Sequence, residues 1–175
     1  MTLLVLQAAL AAAVVAAGQT MRLGPPDVKF VPSPQSVVDA MLDMAQVTPA
    51  DVVYDLGSGD GRIPITAAER YGARGVGIEI DPLLVRTALD RLAKSSAADR
   101  VRFVNADLFD ADISEATVVT LFLLPRLNVR LMPKLRRQLR PGARIVSHQF
   151  DMGAEWPPDE SRDVDGLTVY LWTIR

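Results

Sequence analysis

From residue 51 onward, short apolar runs alternate with stretches of helical periodicity, and that alternation leaves few folds open. Residues 51–56 read as an apolar strand, 63–71 as a helix and 75–80 as a second strand. Residues 82–94 read as a helix, 101–104 as a third strand and 116–124 as a fourth. A helix over 129–139 follows, with Leu127, Leu131, Leu135 and Leu139 at four-residue spacing. Pro141-Gly142 turns the chain into a fifth strand at 143–149, and 167–174 forms a last strand rich in β-branched and aromatic residues. Residues 151–166 are left as a spare loop. Strands linked by helices pack as a mainly parallel sheet covered on both faces, so the expected fold is α/β and doubly wound.

The amino-terminal part has a different character. Residues 1–21 hold 16 apolar residues of 21, with no charge before Arg22. As a helix, twenty residues are about 30 Å long, the thickness of a hydrocarbon core. A cleaved signal peptide would need a basic n-region, which is missing, and a soluble amphipathic helix would need a polar face. The expectation is a single membrane anchor at 1–21, and Arg22 and Lys29 beyond it put the following domain on the cytoplasmic side. Residues 22–33 form a proline-bearing linker, and the domain occupies 34–175. Ser33-Pro34 looks like an N-cap with proline in the first helical position, ahead of the apolar stripe Val37, Val38, Met41, Leu42 and Ala45.

Composition narrows the chemistry. The 175 residues include no cysteine and one histidine, His148, which excludes disulfides, thiolate nucleophiles, iron–sulfur clusters and histidine-rich metal sites; no metal is expected. A net charge of −2 argues against a chain-wide nucleic-acid footprint, and no nucleic-acid partner is expected. Carboxylates, backbone and a bound cofactor must carry the function.

The first strand runs into Asp55-Leu56-Gly57-Ser58-Gly59-Asp60-Gly61-Arg62, and ligands of doubly wound sheets bind at such strand ends. A nucleotide phosphate loop would end in Gly-Lys-Ser/Thr, and this one has no lysine. A dinucleotide fingerprint would place glycine where Arg62 stands, and Asp55 and Asp60 would repel a pyrophosphate. The two acids suit a ligand with a positive charge at that end. S-adenosylmethionine carries an ammonium and a sulfonium and no phosphate. Glu79, 24 residues after Asp55, ends the second strand, where a carboxylate can take both ribose hydroxyls. Asp81 is placed either to assist or to cap the next helix. Asp107 ends the third strand, where it can accept from an adenine amino group.

Residues 52–63 followed by 75–81 resemble motif I and post-I of class I methyltransferases. The longer ordered set is Val31-Pro32-Ser33-Pro34, 55–62, 77–81, 105–109, Leu123-Leu124-Pro125 and 144–150. It resembles the membrane-anchored protein-lysine methyltransferases related to the ATP-synthase c-subunit lysine methyltransferase, and their bacterial and archaeal homologues. The loop and residues 144–147 also resemble Dot1-type histone-lysine methyltransferases. The resemblance implies a Rossmann-like fold, an S-adenosylmethionine site and a protein lysine acceptor. Its cofactor site falls on Asp55, Gly57, Gly59, Glu79, Asn105 and Asp107, with Ser58, Ile80 and Leu108 beside them. Phe30, Val31, Leu124 and Pro125 are the candidate walls of the substrate channel.

Methylases of exocyclic base amines usually place a polar Asn/Asp-Pro-Pro-aromatic motif where this chain has Leu123-Leu124-Pro125, which counts against a nucleobase amine. An apolar channel beside a sulfonium depresses an amine pKa, so no strong base is required and no catalytic side chain is expected. Backbone carbonyls near Leu123, Leu124 and Pro125 are the candidates for orienting the amine. Arg130, Lys134 and Arg137 share a helix face opposite the leucines, either a solvated face or a dock for anionic lipid or an acidic partner. Competing functions are methylation of a small amine, non-catalytic cofactor binding, and dinucleotide-dependent oxidoreduction.

Overall fold

The computed structural model describes Gly24 and residues 29–175; the leader 1–21 lies outside the described residues. Among the described residues no helix is long and apolar enough to cross a membrane. The elements are α1 (Gln35–Met44), β1 (Val52–Leu56), α2 (Arg62–Tyr71), β2 (Arg74–Glu79), α3 (Pro82–Leu92), β3 (Val101–Asn105), β4 (Val118–Leu121), α4 (Pro125–Gln138), β5 (Arg144–His148), β6 (Glu160–Val164) and β7 (Leu167–Thr173).

Among the described residues seven strands form one sheet in the order β3-β2-β1-β4-β5-β7-β6. β1 to β5 are parallel, and β7 runs antiparallel between β5 and β6. The chain winds outward from β1 in one direction through β2 and β3, then returns to β4 and winds the other way. That reversal puts a crevice at the carboxyl ends of β1 and β4, where the loop after β1 emerges.

Period-two alternation divides the sheet's apolar residues between two cores. Tyr54, Leu56, Val119, Leu121 and Ile145 face the leucines of α4, of which Leu127, Leu131 and Leu135 are buried, as is Leu139 just beyond the helix. Val53, Val118, Val146 and Val169 face α1 and α2, meeting Val38, Met41, Leu42 and Ala67. The doubly wound, mainly parallel architecture read from the sequence is present.

Three local readings need correction. The segment 151–166 is not all loop: Glu160–Val164 pairs with β7 as a hairpin across Asp165-Gly166, both at positive φ (56° and 81°). Ser33 does not cap α1, because its hydroxyl is turned to Nδ1 of His148 at 2.9 Å. The fourth strand stops at Leu121, and Pro125 is already the first turn of α4 rather than the end of a strand.

Candidate functional site

Burial and hydrogen bonding fix the loop between β1 and α2 before any ligand is considered. The Gly57 and Ser58 N–H groups both donate to the Ile78 carbonyl, at 2.9 and 3.0 Å, which pins the loop to β2. Gly59 N–H donates to Glu79 Oε2 at 2.8 Å, while Asp81 N–H donates to Oε1 at 2.9 Å. Glu79 therefore organises two loops, yet each carboxylate oxygen keeps acceptor capacity for a further donor. Asp81 also caps α3 through the Leu83 N–H, at 2.8 Å.

Around this frame lies a cleft of ≈ 410 Å³, a size suited to a small organic cofactor. Asp55, Gly57 and Ser58 line it at the end of β1, and Glu79, Ile80 and Asp81 at the end of β2. Asp107, Leu108 and Phe109 follow at the end of β3, with Phe122 and Leu123 at the end of β4. Phe30, Val31, Pro32 and Ser33 close it from the amino-terminal side.

The acids differ in state. Asp55 is buried with the Thr120 hydroxyl donating to Oδ1 at 2.7 Å. Burial, with Glu79 and Asp60 nearby, pushes its pKa up to about 7 despite that hydrogen bond. For Asp60, burial works in the same direction but is outweighed. Arg62 and Arg91 each approach its Oδ2 at 2.7 Å and hold the carboxyl below the usual carboxylate range. The sequence reading of Asp55 and Asp60 as a joint attraction for a cation thus changes: Asp60 is neutralised by its own arginines, and the role falls to Asp55. Arg62 further donates to the Ser33 carbonyl at 2.8 Å, tying the amino-terminal segment to the loop.

The remaining candidates fall on either side of the cleft wall. Asn105 does not line it; both its amide contacts, to the Glu79 and Ile80 carbonyls at 2.9 Å, brace the end of β2. Gly59 lies behind Phe30 rather than on the cleft surface. Asp107 Oδ1 accepts the Phe109 N–H at 2.8 Å, leaving Oδ2 for a ligand. Leu124 and Pro125 are exposed and outside the cleft, where Phe122 and Leu123 take their place. The Leu124 carbonyl, a candidate for orienting an amine, already accepts from Leu127 and Asn128 in the first turn of α4. The sequence does not mark Phe109 and Phe122 as cleft residues: Phe122 stands inside the apolar run 118–124, Phe109 sits between Leu108 and Asp110, and only the fold turns their rings to the cleft.

The basic face of α4 is not solvated as a unit. Lys134 is buried and its Nζ donates to the Phe109 and Ala111 carbonyls. The Arg130 guanidinium lies 3.6 Å from the centroid of the Phe109 ring. These two cations hold the segment after β3, which corrects the reading of a three-residue docking stripe.

S-adenosylmethionine fits this arrangement. The buried carboxylate of Asp55 stands at one part of the cleft, Glu79 retains acceptor sites at the next, and the Ser58 hydroxyl is buried without a partner in the protein. Apolar walls from Ile80, Leu108 and Phe109 suit an aromatic ring system.

Known proteins resemble this chain. The ANTKMT methyltransferase domain family matches residues 55–160. A protein-lysine N-methyltransferase from Saccharolobus islandicus is 46% identical over 85% of this chain and 95% of its own length. The mouse adenine nucleotide translocase lysine N-methyltransferase is 33% identical over 75% of this chain, which spans 56% of that relative. Among solved structures, an RNA methyltransferase from Salinibacter ruber in complex with S-adenosyl-L-homocysteine is 60% identical, with a TM-score of 0.81 over 82% of this chain and 94% of that one.

Proposed function

Because this chain belongs to the ANTKMT methyltransferase-domain family, we infer that it transfers a methyl group from S-adenosylmethionine to the side-chain amine of a protein lysine. The observation that carries this reading is the match to the archaeal protein-lysine N-methyltransferase, which extends over 95% of that protein's length. The chain is an S-adenosylmethionine-dependent protein-lysine N-methyltransferase.

Asp55 would hold the cofactor's ammonium, Glu79 its ribose hydroxyls and Asp107 its adenine amino group, and Ile80, Leu108 and Phe109 would offer apolar surface to the adenine; all of them line the cleft. Gly57 and Ser58 would let the backbone close on the amino-acid end. When bound, the cofactor supplies an electrophilic methyl group on a sulfonium. The chain's own task is to bring a neutral amine in line with it. Phe30, Phe122, Leu123 and Leu127 give that end an apolar lining, which disfavours an ammonium and lets the proton leave to water. His148 does not line the cleft, so it is not placed to take the proton in this step.

The name of the Salinibacter ruber relative favours one second reading, with an RNA acceptor. Incubating the protein with tritiated S-adenosylmethionine and separated membrane-protein, soluble-protein and RNA fractions distinguishes the two. Label that survives ribonuclease and appears as methyllysine after acid hydrolysis is expected. Label that ribonuclease releases overturns the lysine acceptor.

The leader adds location. Residues 1–21 anchor the domain to the cytoplasmic face of a membrane, supported by their apolar run and by Arg22 and Lys29 following it. Alkaline carbonate washing should leave the full chain in the membrane pellet and release a variant lacking residues 1–21. Release of both excludes the anchor.

A further inference from the structure

The end of β5 carries a backbone conformation that the rest of the site does not explain. Gln149 has φ +68°, and across it the Phe150 N–H donates to the His148 carbonyl at 2.8 Å. A hydrogen bond from residue i+2 to i across a positive φ is the rarer, strained form of γ-turn. Strain of this kind persists only where surroundings hold it in place, and such places cluster at functional sites.

The restraints are visible. The Ser147 hydroxyl donates to the Phe150 carbonyl at 2.6 Å. Asn128, wholly buried on α4, donates from Nδ2 to the same carbonyl at 3.0 Å and to the Asp151 carbonyl at 3.2 Å. Gln149 N–H is fixed to the Thr168 carbonyl of β7 at 2.6 Å. Three elements, β5, α4 and β7, thus converge on one tight turn.

The turn sets two rings against a third. The His148 imidazole lies 3.9 Å from the Phe122 ring centroid at 31°, and the Phe150 ring stacks on Phe122 at 6.3 Å and 16°. Of these three rings, Phe122 lines the cleft, and it does so at the end of β4. In the strand order β3-β2-β1-β4 this strand is the farthest from β3, so Phe122 lies on the side away from Asp107 and the adenine end assigned above.

We propose that Asn128 is a positioning residue for the methyl acceptor, acting with Ser147 to hold the Gln149 turn and thereby to fix Phe122 as the wall that aligns the incoming amine. Phe122 is the residue that meets the acceptor; Asn128 acts through it. The proposal rests on the methyl-transfer reading above.

Because the chain has one histidine, the His148 ring protons report the stack directly by NMR. In the unaltered protein they should be shifted upfield by Phe122. Phe122→Leu should return them toward ordinary values, and Asn128→Ala should move them part of the way. In steady-state transfer to poly-L-lysine, Phe122→Leu should lower kcat/KM at least tenfold and Asn128→Ala several-fold. Calorimetric affinity for S-adenosylhomocysteine should stay within about twofold in both. The double variant should be no worse than Phe122→Leu alone, since both changes act on one contact.

Additive losses, an unmoved His148 resonance in Asn128→Ala, or an equal loss of S-adenosylhomocysteine affinity overturn the proposal. If Asn128→Ala does not fold, Ser147→Ala serves with the same criteria. An unaltered protein that binds S-adenosylhomocysteine but labels neither poly-L-lysine nor cell protein overturns the lysine reading and this proposal with it. Intact transfer in Phe122→Leu overturns this proposal alone.

Discussion

A Cβ placed on Gly59 would lie 2.2 Å from Cε2 of Phe30, so the ring of the amino-terminal segment rests directly on the loop after β1. Gly59 also has φ +52°, a left-handed conformation that costs an ordinary residue about 1–2 kcal/mol. Gly59→Ala should therefore lower S-adenosylhomocysteine affinity roughly tenfold or more, a change of about 1.4 kcal/mol per decade. Adding Phe30→Ala should recover part of the loss by removing the clash and leave the backbone cost. Titration calorimetry on the single and double variants checks this, and full recovery would mean that the backbone contributes nothing.

Asp55 makes stability depend on pH in a direction unusual for an aspartate. Its folded pKa stands at about 7 against an ordinary value of 3.8, so the folded chain holds an extra proton between those limits. Its contribution to stability is complete below the lower limit and is lost as pH rises through the window, by at most about 1.4 kcal/mol per pH unit. Asp55→Asn has no such titration. In the absence of ligand it should show a Tm higher than the unaltered protein at pH 8, with the advantage shrinking toward pH 4. Thermal melts across that range test it; parallel curves for the two proteins are the contrary result.

Lys134 tests the inward role of the α4 cations. Lys134→Met keeps much of the apolar stem but leaves the Phe109 and Ala111 carbonyls without this donor. The expected cost is about 1–3 kcal/mol, measured by urea denaturation. A change below a few tenths of a kcal/mol would return Lys134 to the status of a surface charge.

The β6–β7 hairpin turns on two residues at positive φ, Asp165 and Gly166. Gly166→Ala has open space for its Cβ but strains a backbone at φ +81°. A loss of about 1 kcal/mol is expected in the same denaturation experiment. No loss would mean that the turn readily adopts another form.

The glycine loop and the acids at strand ends are legible in the sequence because strand-to-loop transitions carry strong local signals. Asp55, Gly57, Ser58, Glu79, Ile80, Asp107 and Leu108 all reach the cleft. What the sequence obscures has physical causes. β6 is Glu-Ser-Arg-Asp-Val at the sheet edge, where four of five residues are exposed, so no apolar alternation marks it. Asp165-Gly166 is its one local signal. Lys134 reads as a surface lysine by its charge, yet at seven residues from Leu127 and three from Leu131 it flanks the buried stripe, where the segment between β3 and β4 packs over it. The partnership of Ser33 with His148 spans 115 residues and has no local signature.

The order of strands separates two kinds of substitution. Residues assigned to the methyl donor lie on β1, β2 and β3 and their loops, while Phe122 and the turn behind it belong to β4, α4 and β5. Within the sheet the two groups adjoin along the β1–β4 seam, and outside it α4 meets the segment after β3 through Arg130 and Lys134, away from Phe122 and its turn. An exchange of methyl acceptor can therefore proceed through the second group while the first is left intact. On this scaffold, a change of target is a one-sided edit.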